Sequence, residues 1–141
     1  MGFLFSKPDP ERRKRLERAV ADVDRELAAN LELTSMFDQT KQAVVLENGE
    51  FTRHGATIQS GLAAAHAPLA DLYARIADTE SAMERRGPAN SLRDADRALI
   101  ETWEGDARAA QRGLREAFAE PPPSPFRALL KRLRGVLPTR R

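Results

Sequence analysis

The strongest constraint on the fold of this chain is an apolar seam that runs from residue 58 to residue 83. Its members alternate in steps of four and three residues without an exception: Ile58, Leu62, Ala65, Leu69, Leu72, Ile76, Thr79 and Met83. Such steps place every member on one face of an α-helix, in the a and d positions of a heptad. Pro68 lies inside the seam and lacks a backbone donor, so we expect a kink or short break near His66.

A long helix precedes the seam and another follows it. From Glu11 no Gly or Pro occurs before Gly49, and apolar residues recur three or four apart, which predicts a helix of roughly 35 residues with Asp9 as its N-cap. The later helix follows a capping box that begins at Ser91. Its apolar face comprises Leu92, Leu99, Trp103, Ala107, Ala110, Leu114 and Phe118, with Trp103 as the expected core anchor.

Residues 44–53 allow two interpretations. Asn48-Gly49 between apolar runs is typical of a β-hairpin. Alternatively, Gly49 is the left-handed residue that stops the first helix. We favour the helix stop, because no third strand is evident and an isolated hairpin is marginally stable in water.

These patterns predict an all-α protein: an elongated antiparallel three-helix bundle, or coiled-coil-like body, over residues 9–120. A short apolar and basic tip at 1–8 precedes it. A Pro-rich hinge at 121–125 and a basic amphipathic helix and tail at 126–141 follow it. Asn30 and Thr79 are polar members of the seams, and Asn30 either fixes helix register or faces water.

The net charge of +2 conceals a strong asymmetry. Residues 1–20 hold six basic and three acidic groups, and residues 121–141 hold six basic and no acidic groups. The remaining 11 basic and 18 acidic groups give residues 21–120 a net charge of −7. Basic ends on an acidic body indicate an anionic partner, such as a membrane surface or nucleic acid.

The C-terminal segment has the pattern of an interfacial membrane helix. Its apolar stripe is Phe126, Leu129, Leu130, Leu133, Val136 and Leu137, and the rest of its surface is cationic. We expect membrane insertion by Phe3, Leu4, Phe5, Phe126, Leu130 and Leu133. We expect headgroup contacts from Arg12, Arg13, Lys131, Arg132 and Arg134.

The leading functional hypothesis is a non-enzymatic, cytoplasmic scaffold or adaptor at the inner face of the plasma membrane. One alternative is a protein-interaction or oligomerisation module, with a protein partner or a second copy, whose C-terminal helix packs on the bundle. Nucleic-acid binding is disfavoured, since Phe126 is the only ring available for stacking in the basic segment.

Sequence motifs predict no catalytic residue, cofactor, metal or small-molecule substrate. Cysteine is absent, and His54 and His66 belong to no ligand motif. His54 is expected to cap or border a loop. Glu101, Glu104 and Asp106, which surround Trp103, are interpreted as a solvated helix face. No apolar run approaches the roughly 18–20 residues of a membrane span.

Overall fold

The computed structural model describes residues 9–86 and 91–119, and this part of the chain is helical and contains no β-strand. It has five helical segments: α1 (Pro10–Thr40), α2 (Gly49–Gly61), α3 (Ala63–Ala74), α4 (Ile76–Glu84) and α5 (Asp94–Ala119). The predicted tip at 1–8, the hinge at 121–125 and the basic helix at 126–141 lie outside the described residues. So do the predicted contact residues Phe3, Leu4, Phe5, Phe126, Leu130, Lys131, Arg132, Leu133 and Arg134.

The first helix begins as predicted. The Asp9 carboxylate accepts a hydrogen bond from the Glu11 backbone N–H at 3.0 Å, and Pro10 occupies the first helical position. An Asp N-cap satisfies a backbone donor that has no partner within the helix, and Pro has no such donor to satisfy. Asp9 is therefore confirmed as the N-cap of α1.

The first helix ends nine residues before Gly49. Lys41 adopts the left-handed conformation, with φ of 59°, and its N–H donates to the Phe37 carbonyl at 2.7 Å. This closes α1 at Thr40 in the way that a C-cap glycine would. Gly49 instead begins α2. Both interpretations of residues 44–53, the helix stop at Gly49 and the hairpin, are therefore wrong.

Residues 41–48 form a non-helical connector that is held against the helices by side chains. The buried Asn30 donates to the Glu47 carbonyl at 2.8 Å and accepts from the Glu47 N–H at 2.7 Å. The Leu46 N–H donates to a carboxylate oxygen of Glu80 at 2.7 Å. Asn30 thus faces the interior rather than water, and it fixes the position of the connector.

The predicted second helix folds back on itself at Leu62, whose φ of −141° separates α2 from α3. The rings of Phe51 and Tyr73 stack with centroids 4.4 Å apart, whereas one straight helix would separate them by roughly 33 Å. Pro68 was expected to cause a break near His66. The break instead lies at Leu62, four residues before His66. Pro68 is accommodated inside α3.

Gly61, the last residue of α2, lies close to the side chain of Leu16 at this reversal. A Cβ added to Gly61 would lie 2.9 Å from a methyl group of Leu16 on α1. The absence of a side chain therefore lets the α2–α3 turn approach the start of α1.

The helices pack in a ring. α1 contacts α2 and α5, α3 contacts the same two helices, and α4 continues α3 along α5. The predicted three helices are therefore corrected to four helical layers. These layers are α1, α2, α3 together with α4, and α5. The burial of the predicted seam is confirmed for all its members except Leu62, but these residues lie on three helices and not on one continuous helix.

Trp103 lies at the centre of the main core, as predicted. It is fully buried, and its indole N–H donates to the Leu72 carbonyl at 2.9 Å. Thr79 is also buried, and its hydroxyl donates to the Arg75 carbonyl. A smaller cluster lies where α1 ends and α5 begins: Phe37, Ala82, Met83 and Ile100. α5 starts at Asp94, two residues later than the capping box at Ser91 predicts.

Candidate functional site

One end of the ring brings together the start of α1 and the end of α5. The Arg13 guanidinium lies 4.1 Å from the centroid of the Phe118 ring and donates to the Phe118 carbonyl at 3.2 Å. Arg12 donates to the Ser60 hydroxyl at 3.2 Å, next to the α2–α3 turn. We call the region formed by residues 9–18, 59–63 and 115–119 the basic end. The charge on Arg13 complements the negative end of the α5 dipole.

The cations near the start of α1, at residues 12–18, divide into two groups by their position around the helix. Arg12 and Arg13 flank the apolar stripe that begins at Leu16, and they therefore reach neighbouring helices. Lys14, Arg15 and Arg18 are exposed. Two of them, Lys14 and Arg18, lie roughly 160–200° around the helix axis from the stripe, on the outward face.

Arg12 and Arg13, which the sequence predicts as headgroup ligands, therefore both have partners on other helices. The helical spacing from Leu16 places Lys14, Arg15 and Arg18 away from the core, so the sequence contains the signal that these three cations are exposed.

A buried carboxylate caps the second helix from outside it. Glu26 on α1 accepts hydrogen bonds from the backbone N–H groups of Glu50 and Phe51, at 2.8 and 3.1 Å, and from the Tyr73 hydroxyl at 2.8 Å. Asn48, the residue at the N-cap position of α2, makes no side-chain cap bond. Burial, and then the bond to Glu26, raises the pKa of Tyr73. This contact joins α1, α2 and α3 at one point.

Next to it, Asp22 and His54 form a second link between α1 and α2, with 2.9 Å between Nε2 and Oδ2. Burial opposes ionisation of Asp22, but hydrogen bonds from His54 and Arg25 outweigh it and lower its pKa. Asp22, Glu50 and His54 offer ligand atoms within 4.8 Å of one another. Their atoms are already engaged with each other and with Arg25 and Arg53. These residues therefore form a polar network that links α1 and α2.

Sequence motifs missed this group because its members come from two helices, not from one ligand motif. His54 also lies within α2, so the expectation that it caps or borders a loop is wrong.

The three acidic residues around Trp103 separate on the structure. Glu101 and Asp106 are exposed, as predicted, but Glu104 is buried. Burial raises the pKa of Glu104; a hydrogen bond to Thr34 opposes this, and the neighbouring Asp38 adds to it. Glu104 therefore belongs to the α1–α5 interface and not to a solvated face.

An ion pair lies at the opposite end of the ring, where α4 ends and α5 begins. Arg85 donates through two nitrogens to Oδ1 of the buried Asp96, at 3.0 and 2.7 Å. The hydrogen bond from Arg85 lowers the pKa of Asp96 against the opposing effect of burial. The other oxygen of this carboxylate is buried without a partner among the described residues.

A groove of about 470 Å³ runs between α3 and α5. Small side chains form most of its wall, chiefly Ala64, Pro68, Ala109, Ala110, Gly113 and Ala117. At one end of the groove, Arg75 bridges Asp71 and Asp106 at 2.9 Å each. These three charged groups are paired with one another, and the other residues that line the groove are small and apolar.

No family model matches the chain, and neither the curated proteins nor the solved structures contain a significant match. Within residues 9–86 and 91–119, no helix has the length and apolar character needed to cross a membrane.

Proposed function

We propose that this chain is a non-enzymatic helical scaffold that contacts an anionic membrane surface through its basic end. The observation that carries the proposal is the contact between Arg13 and Phe118, at 3.2 Å. It places Asp9 and Ala119, from which the two basic terminal segments continue, at the same end of the ring. Two weak membrane contacts reinforce each other only when both can reach one surface, and the closeness of Asp9 to Ala119 supports this part of the proposal.

The outward cations of α1 support the proposal. Lys14, Arg15 and Arg18 are exposed beside the point where residues 1–8 join the helix. Each cation near an anionic leaflet contributes about 1 kcal/mol, so three contribute about 3 kcal/mol. The terminal segments would add partial burial of the apolar groups at Phe3, Leu4, Phe5 and Phe126.

Vesicle sedimentation tests the proposal. Full-length protein should sediment with vesicles that contain phosphatidylserine, remain in the supernatant with pure phosphatidylcholine, and dissociate as salt is raised. Replacing Lys14, Arg15 and Arg18 by Gln should lower the partition coefficient by roughly fivefold for each cation. Protein that remains in the supernatant with anionic vesicles at low salt would show that the proposal is wrong.

The matched control is a triple Gln replacement of Arg93, Arg97 and Arg108. These exposed arginines lie on α5 or just before it, away from the basic end, and the replacement changes net charge by the same amount. If the control lowers sedimentation as much as the α1 variant, attraction depends on overall charge and not on the basic end.

The groove between α3 and α5 favours a second candidate function, a module that binds a helix of another protein or of a second copy. Small side chains let a helix backbone approach closely, and Ala109 and Gly113 lie one turn apart on α5. Sedimentation velocity of the full chain over a range of concentrations tests self-association. A mass that stays monomeric at every concentration excludes the second copy as the occupant.

A further inference from the structure

The groove between α3 and α5 is a surface that the described helices leave uncovered. Ala64, Pro68 and Ala109 are exposed, and a Cβ added to Gly113 would meet no atom within 4 Å. A wall of small residues is complementary to a helix that carries large apolar side chains, because large and small groups interdigitate at a helix interface. The shape of the surface therefore fits an amphipathic helix.

The chain supplies such a segment where the groove begins. Ala117 lines one end of the groove, and α5 ends two residues later at Ala119. Three prolines at 121–123 do not permit α5 to continue, and Ser124-Pro125 has the sequence of a new helix start. A segment that turns here and runs back along α5 meets the groove without any long linker.

The lengths also agree. Along α5, the groove extends from Ala117 to Asp106, which is about 17 Å at 1.5 Å per residue. A helix from Pro125 to Leu137 would span about 18 Å. Its stripe of large apolar residues would face the small residues of the wall.

The charges at the groove also favour the C-terminal segment as its occupant. Asp71 and Asp106 lie at the far end of the groove, with side chains 70% and 50% exposed, and the single cation Arg75 bridges them. Residues 121–141 carry six basic groups and no acidic group. In an antiparallel return, Lys131 and Arg134 approach these carboxylates.

We propose that residues 125–137 of this chain dock in the groove between α3 and α5 as an additional helix. The inference does not require the membrane proposal. If both hold, the same apolar stripe cannot lie in the groove and in a membrane at once, so docking competes with membrane contact. The tail would then leave the groove when an anionic surface is offered.

The absence of cysteine permits a direct test by cross-linking in the full-length chain. One variant combines Ala109→Cys with Arg134→Cys, which keeps every apolar residue of the stripe. The matched control combines Gly105→Cys with Arg134→Cys. Gly105 is an exposed residue one turn away on α5, with open space around it, and it does not line the groove.

With a short bismaleimide, we expect a product cross-linked within one chain for the Ala109→Cys pair. It should form several-fold more slowly for the Gly105→Cys pair. Adding Gly113→Arg to the first pair should reduce its rate to that of the control, because the new side chain fills the groove with bulk and positive charge. Circular dichroism checks that each variant retains its helix content.

Equal rates for the two pairs would overturn the proposal, as would a product of twice the monomer mass, which would make a second copy the occupant. Repeating the reaction with phosphatidylserine vesicles separates the two proposals. Vesicle binding by protein that does not cross-link at Ala109 even when vesicles are absent supports the membrane proposal and contradicts docking. Cross-linking that forms without vesicles and is lost on vesicle binding supports both proposals. Cross-linking that persists in protein that does not sediment supports docking alone.

Discussion

Glu26 is the residue whose role differs most from its appearance in the sequence. A glutamate in the middle of a charged helix is usually solvated, yet this one is only 4% exposed and accepts three hydrogen bonds. The signal was its position, three residues after Val23 and beside Leu27, within the apolar stripe of α1. A polar residue in such a stripe needs partners, and they come from the start of α2 and from Tyr73.

Replacing Glu26 by Ala should destabilise the protein by about 3 kcal/mol, since it leaves three donors without an acceptor. The measurement is the free energy of unfolding in urea. Glu101→Ala is the control: it removes the same charge from an exposed position of α5 and should change stability by less than about 0.5 kcal/mol. Equal losses in the two variants would show that Glu26 acts through charge alone.

Glu104 gives a prediction of opposite sign. A carboxyl whose pKa is raised by folding stabilises the folded state while protonated, and this contribution is lost as the pH rises through the folded-state pKa. Glu104→Gln should therefore raise the melting temperature at pH 7, and the gain should disappear near pH 4. A variant that melts lower than the parent at pH 7 would contradict the prediction, and Glu101→Gln serves as its exposed control.

Among the elements, the connector at residues 41–48 is the one that sequence patterns did not reveal. Lys41 begins it in a left-handed conformation that costs roughly 1–2 kcal/mol for a residue other than glycine. The cost is offset by contacts further along, above all the pair of hydrogen bonds between Asn30 and the backbone of Glu47. Such contacts depend on tertiary structure, and no local propensity encodes them.

Asn30→Ala should release this connector. The loss of two buried hydrogen bonds should lower the free energy of unfolding by about 2 kcal/mol. Hydrogen exchange of the Leu46 and Glu47 amides should accelerate more than exchange in the centre of α5. Asn48→Ala is the matched control, because the Asn48 side chain makes no cap bond. Unchanged protection at Glu47 would show that other contacts hold the connector.

The second predicted helix shows that a sequence pattern can predict which residues are buried without predicting the path of the chain. The seam from Ile58 to Met83 correctly identified the buried residues apart from Leu62, and its buried members on α2 and α3 pack in the same core. A hairpin and a straight helix therefore share the pattern. Gly61 was the available signal for the reversal at Leu62. Because of Pro68, the break was predicted near His66 instead.

At the scale of the whole molecule, acid should weaken the contacts between layers. Asp22 and Asp96 have pKa values below their usual 3.8 in the folded state, so their stabilising contribution is present above about pH 4. It is lost as the pH falls through their folded-state values. Melting temperatures measured by circular dichroism should therefore fall steeply below pH 4.

Arg85→Gln provides the check on Asp96, because it removes the hydrogen bonds that lower the pKa of that carboxyl. The difference in melting temperature between the parent and this variant should be largest near neutral pH and should shrink towards pH 2. A difference that stays constant across this range would show that Arg85 contributes through packing alone.

The arrangement of the whole ring could be predicted only in part. Helical class, the Asp9 cap, the buried seam and the Trp103 anchor all follow from periodicity and capping chemistry. The closeness of Asp9 to Ala119 depends on an even number of helical layers, which the reversal at Leu62 supplies. With three layers, α1 would begin and the last helix would end at opposite ends.

The contact between Arg13 and Phe118 also makes the chain suited to circular permutation. A short linker could join Ala119 to Asp9, and the chain could be opened between Arg86 and Ser91, where α4 gives way to α5. Such a protein would keep all five helices but place its new termini beside Phe37 and Met83. It would isolate the helical ring from both terminal segments, so the two could be studied as separate molecules.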